Sequence, residues 1–178
     1  MMSEAEFFAG LTGSPNDLAL VVRALEATGH AFCLIGGLAV NHYSEPMVTL
    51  DADFAIVTAT GTPAALRAAG FVVEEFPHSI NATLPGSRLR IQITINSRYG
   101  PFPGRAITGV LFGVTLPIAC LADVVQGKLW AATDPARRRS KRAKDEADLL
   151  RLAELHPQVF TFIPPGTVPA LDEIRPQT

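Results

Sequence analysis

The sequence has few of the features that mark secreted, membrane-bound or nucleic-acid-coating proteins. Among its 178 residues there are only two cysteines, charged residues make up 18%, and the net charge is −2. Cys33 and Cys120 both lie in apolar runs, which favours buried free thiols over a disulfide. The nearly balanced charge gives no overall nucleic-acid-binding surface, so any such surface must come from local clustering.

No apolar run is long enough to cross a membrane, which takes about 20 residues of helix. The first residues, MMSEAEFF, carry acids and lack the basic start of a signal peptide. We therefore expect a soluble cytoplasmic protein that has no membrane partner.

The hydrophobic content, 48% of the residues, is sufficient for a single globular domain with a buried core. We expect that domain to span residues 1–156, with a core in residues 30–97 and a C-terminal helical part in residues 119–156. Residues 157–178 contain several prolines and show little periodicity. We interpret them as a Pro-rich tail that packs on the surface.

Residues 33–57 contain a pair of glycines and a pair of aspartates between two apolar runs. Gly36 and Gly37 end the first run, and Asp51 and Asp53 open the second. Because residues two apart in a strand point to the same face, the two aspartates project together beside the glycine turn. Adjacent carboxylates repel each other, so a cation such as Mg²⁺ carrying substrate phosphates is a natural partner. An ordinary turn and a solvated strand edge are the alternatives.

The order of strand, glycine pair, helix and Asp-x-Asp strand resembles the first motif of the nucleotidyltransferase-fold superfamily. The resemblance spans residues 30–155 and is closest to small bacterial members related to abortive-infection and toxin–antitoxin nucleotidyltransferases. It implies an α/β (α+β) fold of the DNA polymerase beta-like type, in which helices flank a mixed sheet. It also implies that Gly36 and Gly37 bind nucleotide phosphates. By the same resemblance, Asp51 and Asp53 are catalytic residues that bind Mg²⁺.

Residues 88–96 alternate between polar and apolar side chains, which predicts a half-buried strand. In active nucleotidyltransferases this strand carries a third carboxylate that completes the metal site, and the matching positions here are Gln92 or Thr94. Neither residue is an acid. Because phosphoryl transfer depends mostly on positioning and charge stabilisation, this loss should impair the chemistry more than nucleotide binding. Glu75, from a neighbouring strand, is a candidate substitute.

Two basic features lie in the C-terminal half. Lys128, in a predicted helix over residues 119–132, matches a lysine that relatives use near the nucleotide phosphates, although a surface position on an amphipathic helix fits it equally. Residues 137–144 contain six basic side chains. They form either a solvated loop and helix start or a patch that binds a triphosphate or an RNA acceptor.

The end of this basic stretch resembles the Lys-Asp-x-x-Asp-Leu ending of the toxin-like relatives. The resemblance implies that Lys144 and Asp145 close over the nucleotide. Asp148 lies one helical turn after Asp145, where it can instead pair with Lys144 or Arg151.

These features support three hypotheses of function. An enzyme would transfer a nucleotidyl group from an Mg²⁺-bound nucleoside triphosphate to a hydroxyl of RNA or protein, and a toxin with an antitoxin partner is one form of this. A degenerate nucleotidyltransferase would bind a nucleotide or a partner without turnover, as the absent third acid favours. An RNA-binding module would use residues 137–144 alone. The loop around Phe102 is, in addition, a candidate interface.

Overall fold

Seven strands and seven helices make up the part of the chain that the computed structural model describes, residues 3–14 and 16–176. The strands are β1 (Phe32–Ile35), β2 (Asp51–Ile56), β3 (Val72–Phe76), β4 (Ser79–Thr83), β5 (Arg90–Thr94), β6 (Ile107–Leu111) and β7 (Val114–Ile118). The helices are α1 (Glu4–Thr12), α2 (Asp17–Glu26), α3 (Gly36–Tyr43), α4 (Thr62–Ala68), α5 (Leu121–Thr133), α6 (Arg139–Leu155) and α7 (Pro169–Asp172). Short 3-10 helices span Ser97–Tyr99, Pro103–Arg105 and Pro157–Thr161.

The strands form one mixed sheet in the order β3-β4-β5-β2-β1-β7-β6. Strand β2 pairs in parallel with β5 and antiparallel with β1, while β1 pairs in parallel with β7. The hairpins β3–β4 and β6–β7 are antiparallel, as is the pair β4–β5. Strand β1, helix α3 and strand β2 follow one another as the glycine and aspartate pairs predicted. The mixed sheet flanked by helices confirms the predicted fold class.

The alternation predicted within residues 88–96 is confirmed in β5. Ile91 and Ile93 are buried, whereas Arg90 and Gln92 between them are exposed. Phe54 of β2 lies directly beside Ile93 in the sheet register, so the apolar residues of the two strands share one face. The opposite face of both strands is polar and faces the candidate site.

The apolar face of the sheet and the helices build the core. Its largest fully buried side chains include Leu25, Leu34, Phe54, Leu66, Ile80, Ile91, Ile93, Leu116 and Leu149. Helix α2 contacts α4, which contacts β3, while α3 contacts β2, α5 and α6, and α5 packs along α6. Helix α3 is therefore held between the sheet and the C-terminal helices, which fixes its first residue beside β2.

The segment predicted to be a Pro-rich tail contributes side chains to the core. Val159, Ile163 and Leu171 are buried, and helix α7 contacts α6. Burial of these side chains provides the hydrophobic free energy that fixes a segment without sequence periodicity. The division of the chain at residue 156 stays a prediction, and residues 177 and 178 lie outside the described part.

Two other expectations concern the location of the protein. Cys33 and Cys120 are both free, as predicted. None of the helices formed by the described residues combines the length and the apolar character that a membrane crossing takes. The interpretation of the first residues as lacking a signal peptide stays a prediction, and Met1 and Met2 lie outside the described residues.

Candidate functional site

Asp51 and Asp53 open β2 and lie on the same face of the sheet, as the two-residue period of a strand requires. Across β1, Asp53 pairs with Ile35, the residue before helix α3. Its carboxylate lies against Gly36: a Cβ atom at this glycine would be 2.2 Å from Oδ2 of Asp53. Gly36 also has a φ of +68°, in the left-handed region that favours glycine. The structure thus brings the glycine turn and the aspartate pair together.

Gly37 lacks both restrictions. A Cβ atom there would lie 3.7 Å from the nearest side-chain atoms, which belong to Thr49 and are at an ordinary contact distance. The glycine pair therefore contains one residue that the geometry requires and one that it tolerates. That Gly36 and Gly37 bind phosphates stays a prediction.

The electrostatic environment of Asp53 is unusual for a carboxylate. Burial, followed by the negative charge of Asp51, raises the pKa of Asp53 to about 6. The positive charges of Lys128, Lys144 and Arg137 act in the opposite direction without cancelling this effect. Because the ionised form of Asp53 is disfavoured, a cation bound at the aspartate pair would stabilise that form and lower the pKa.

Asp51 already has a cationic neighbour, which the sequence pattern did not predict. Arg90 of β5 pairs with Asp51 in the parallel register, and its Nε lies 2.7 Å from Oδ1 of Asp51. The Arg90 side chain is 67% exposed and that of Asp51 is 32% exposed. The strand alternation had placed Arg90 on the polar face, but only the register of β2 with β5 shows its partner.

The same register distinguishes between the two predicted positions of the third acid. Gln92 pairs directly with Asp53, whereas Thr94 pairs with Ala55, two residues further along β2. The residue level with Asp53 is therefore a neutral amide. Its side chain can offer an oxygen ligand but carries no negative charge.

Glu75, the candidate substitute for the missing carboxylate, lies on the opposite face of the sheet. It pairs with Ile80, which pairs with Ile93, and this row belongs to the apolar face. The Glu75 carboxylate instead forms an ion pair with Arg67 at 2.8 Å. Its neighbour Glu74 lies on the site face, three strands from β2. Among residues 3–14 and 16–176, no group of three or more His, Cys, Asp or Glu side chains could hold a metal ion.

Lys128 lies in a buried ionic network and not on the surface. Its Nζ is 2.9 Å from Oδ1 of Asp145 and 2.6 Å from Oδ2 of Asp148. Burial lowers the pKa of Lys128, but the charges and hydrogen bonds of Asp148 and Asp145 outweigh burial and raise it overall. Arg137 donates from Nε to Oδ2 of Asp145 at 2.9 Å. Asp145, predicted to bind nucleotide, is therefore held by two cations of the chain.

Asp148 and Lys144, one helical turn apart in α6, have different surroundings. Asp148 pairs with Arg151 at 2.9 Å in addition to Lys128, so of the two predicted partners the structure selects Arg151. Lys144 is exposed and, within the described part of the chain, forms no ion pair. It is close enough to lower the pKa of Asp53. Its binding to nucleotide stays a prediction.

Two clefts meet at Asp53. The first cleft, of about 340 Å³, is bordered by Gly36, Asp53, Lys128 and Asp145, with aromatic side chains on another wall. The second cleft, of about 400 Å³, has a different set of polar residues around Asp53, and these are Asp51, Glu74, Asn81, Thr83, Arg90, Gln92, Arg137 and Lys141. Asp53, Gln92 and Arg137 line both clefts. The two clefts therefore adjoin each other at Asp53.

The aromatic wall of the first cleft includes Phe102, the residue at the centre of the candidate interface. This side chain is only 2% exposed. Its ring stacks on Trp130 with centroids 5.8 Å apart, and Tyr99 packs edge-on against both rings. The Phe102 side chain is thus part of the core and cannot itself contact a partner, while an interface at the surrounding loop stays a prediction.

Comparison with known proteins shows the fold. No protein-family model matches the sequence, and neither does any curated protein. Three solved structures are similar. An antigenic nucleotidyltransferase-like protein from Paracoccidioides brasiliensis has 16% identity and a TM-score of 0.57, over 89% of this chain and 88% of that one. ANT(2'')-Ia in complex with adenylyl-2''-tobramycin has 14% identity and a TM-score of 0.55, over 82% and 94%.

The third similar structure is the lincosamide antibiotic adenylyltransferase LnuA with bound lincomycin, at 14% identity and a TM-score of 0.51, over 76% of this chain and 95% of that one. At these identities the similarity shows the fold and not the substrate. The chain has the nucleotidyltransferase fold, as the resemblance of its first motif implied. The narrower resemblance to abortive-infection and toxin–antitoxin members stays a prediction.

Proposed function

We propose that this protein transfers a nucleotidyl group from a nucleoside triphosphate to a hydroxyl group of an acceptor. The observation that carries the proposal is the position of Asp53, which lies beside Asp51, against Gly36 and at the junction of the two clefts. Nucleotidyl transfer requires a donor and an acceptor that meet where negative charge is stabilised. The fold and the geometry of this site both support that reaction.

The residues present fit a hard divalent cation. Asp51 and Asp53 offer carboxylate oxygens on one face, Gln92 offers an amide oxygen level with Asp53, and Mg²⁺ is commonly bound by one or two carboxylates plus substrate phosphates. The raised pKa of Asp53 indicates a pair whose charge is not fully compensated. Asp51 and Asp53 would hold Mg²⁺, which when bound would neutralise the charge of the transferred phosphate.

The first cleft suits the nucleoside triphosphate. At Gly36 the bare backbone at the start of α3 lets a phosphate approach the amide groups of the first helical turn. Lys128 and Arg137 line the same cleft and contribute positive charge, although both are paired with Asp145. In the reaction, an acceptor oxygen bonds to the α-phosphorus, the bond to the pyrophosphate oxygen breaks, and the acceptor's proton is released.

The second cleft suits the acceptor. Arg137 and Lys141, two of the six basic side chains in residues 137–144, line it, which supports RNA as the acceptor. A protein hydroxyl, and a toxin that acts with an antitoxin partner, are forms of the proposal supported by the sequence resemblance. A small hydroxyl compound is a further form, supported by the structural neighbours that carry tobramycin or lincomycin.

A second candidate function is nucleotide or partner binding without turnover. Two observations favour it: Gln92 occupies the place level with Asp53, and Arg90 already neutralises Asp51. Retention of both aspartates opposes it, because two like charges side by side on one face of a strand repel each other and are unfavourable without a role. An RNA-binding module that uses residues 137–144 alone is supported only by their local charge.

Calorimetric titration of ATP, CTP, GTP and UTP, with and without Mg²⁺, tests the proposal. We expect Mg²⁺-dependent binding that Asp51→Asn abolishes and that Glu75→Gln, which removes a carboxylate from the opposite face, leaves unchanged. Labelled nucleotide is then offered with RNA, protein and small hydroxyl acceptors. Transfer to one acceptor class supports the enzyme, and binding without transfer to any class supports the second candidate. Absence of nucleotide binding contradicts the enzyme and leaves only the partner-binding form of the second candidate.

A further inference from the structure

Arg90 and Asp51 are brought together by the strand register. The two residues are direct partners in the parallel pair β2–β5, on the polar face, and both line the second cleft. Arg90 donates from Nε to Oδ1 of Asp51 at 2.7 Å. Because the register is fixed by the apolar residues on the opposite face, this pairing is built into the fold.

The position of the guanidinium conflicts with a second cation at Asp51. It occupies one carboxylate oxygen, and its positive charge repels any divalent ion that approaches the other. The Arg90 guanidinium thus lies at the carboxylate where the proposed reaction requires a bound Mg²⁺ ion.

Unlike the lysine of the buried network, Arg90 is free to move away. Its side chain is 67% exposed, whereas that of Lys128 is 9% exposed and is held by Asp145 and Asp148. An exposed ion pair is weak, because water solvates both partners and salt screens them. Release of Arg90 into the second cleft therefore has a small free-energy cost.

We propose that Arg90 is an internal counter-cation of Asp51, which a divalent metal ion must displace in order to bind the aspartate pair. This inference rests on the proposed function, in which the pair holds Mg²⁺. Arg90 acts here through Asp51 and is a positioning residue. Its displacement lowers the metal affinity of the free protein and couples metal binding to a rearrangement of the second cleft.

Binding of Mn²⁺, followed by electron paramagnetic resonance, tests this without any turnover. We expect Arg90→Gln to bind Mn²⁺ roughly tenfold more tightly than the wild type, because a unit charge a few ångströms away is removed. Arg90→Lys retains the charge and should stay near the wild type. Arg88→Gln is the matched control, since Arg88 is exposed and lies two residues before Arg90. Raising the salt concentration should reduce the difference in Mn²⁺ affinity between Arg90→Gln and the wild type, because salt screens the charge of Arg90.

The outcomes separate this inference from the proposed function. Mn²⁺ binding that is equal or weaker in Arg90→Gln, while the wild type binds the ion, overturns the role of Arg90 and leaves the aspartate pair as a metal site. An equal gain in Arg88→Gln also overturns it, because the effect would then be one of net charge. If neither wild type nor Arg90→Gln binds Mn²⁺, with or without nucleotide, the metal site itself is excluded. Arg90→Met is a second neutral variant in case Arg90→Gln does not fold.

Discussion

The Asp53 carboxylate lies against Gly36, so closely that a methyl group on this glycine would be 2.2 Å from Oδ2 of Asp53. We expect Gly36→Ala to lower the free energy of unfolding by about 2 kcal/mol or more, because it adds this clash to the strain of a left-handed φ. Urea unfolding measures the change. Gly37→Ala is the control and should be tolerated, since its methyl group would only meet Thr49 at 3.7 Å. Equal losses in the two variants would contradict the assigned geometry.

Asp53 should make the stability of the protein depend on pH in the acidic range. Since its pKa is raised to about 6, the unfolded chain loses this proton at lower pH than the folded protein does. The contribution of Asp53 to stability should therefore fall as the pH rises from about 4 to about 6, and stay constant above that. Below about pH 4, Asp53 is protonated in both the folded and the unfolded protein, so its ionisation no longer lowers the stability.

Comparison of Asp53→Asn with the wild type isolates this effect. The variant should be the more stable protein above about pH 6, and the difference should vanish near pH 4. Urea unfolding over this range measures it. Asp51→Asn should lower the pKa of Asp53, because the charge of Asp51 is the second cause of its shift. An NMR titration of the Asp53 carboxyl that gave an ordinary pKa would refute the prediction.

Gln92→Glu should restore a third carboxylate level with Asp53. We expect the affinity for Mg²⁺ to rise about tenfold or more, since the number of charged oxygen ligands sets the affinity for hard cations. If the missing acid limits nucleotidyl transfer, the rate of transfer should also be higher in Gln92→Glu. Calorimetry with Mg²⁺ measures the first effect. Thr94→Glu is the control, because Thr94 pairs with Ala55 and lies further from the aspartate pair, so a similar gain there would argue against the assignment.

Lys128→Met should be among the most destabilising substitutions in the chain. It leaves the carboxylates of Asp145 and Asp148 buried without their shared cation, a change that typically costs about 3–5 kcal/mol. Lys144 lies in the same helix as Asp145 and Asp148 but is exposed. Lys144→Met should therefore change the free energy of unfolding by less than about 0.5 kcal/mol. Urea unfolding of both variants compares them. A small effect at Lys128 would mean that the network is not formed in solution.

The C-terminal segment should contribute directly to stability. Leu171 is fully buried, so Leu171→Ala should cost about 2–5 kcal/mol through lost burial and the cavity left behind. Ile174, three residues later, is 41% exposed and serves as the control. Thermal unfolding of the two alanine variants distinguishes an integral segment from a tail. Equal melting temperatures would show that this segment contributes little to the stability of the protein.

Some missed features had a signal in the sequence. Helix α1 was not predicted, although Ser3 and Glu6 stand three residues apart in the pattern of a capping box. In the structure Glu6 accepts from the backbone of Ser3 at 2.7 Å, and the Ser3 hydroxyl accepts from the Glu6 amide at 3.2 Å. The burial of Phe102 had no comparable signal, because its partner Trp130 lies in a different element.

Local sequence determined the elements of the site, and tertiary structure decided their partners. The two-residue period of a strand places Asp51 and Asp53 on one face wherever the strand lies, and the same period separates Arg90 and Gln92 from the apolar face. Which residues meet across strands is set by register, a non-local pairing that burial of the apolar face selects. That pairing placed Arg90 on Asp51 and Gln92 beside Asp53, and helix packing likewise buried Lys128 between two aspartates.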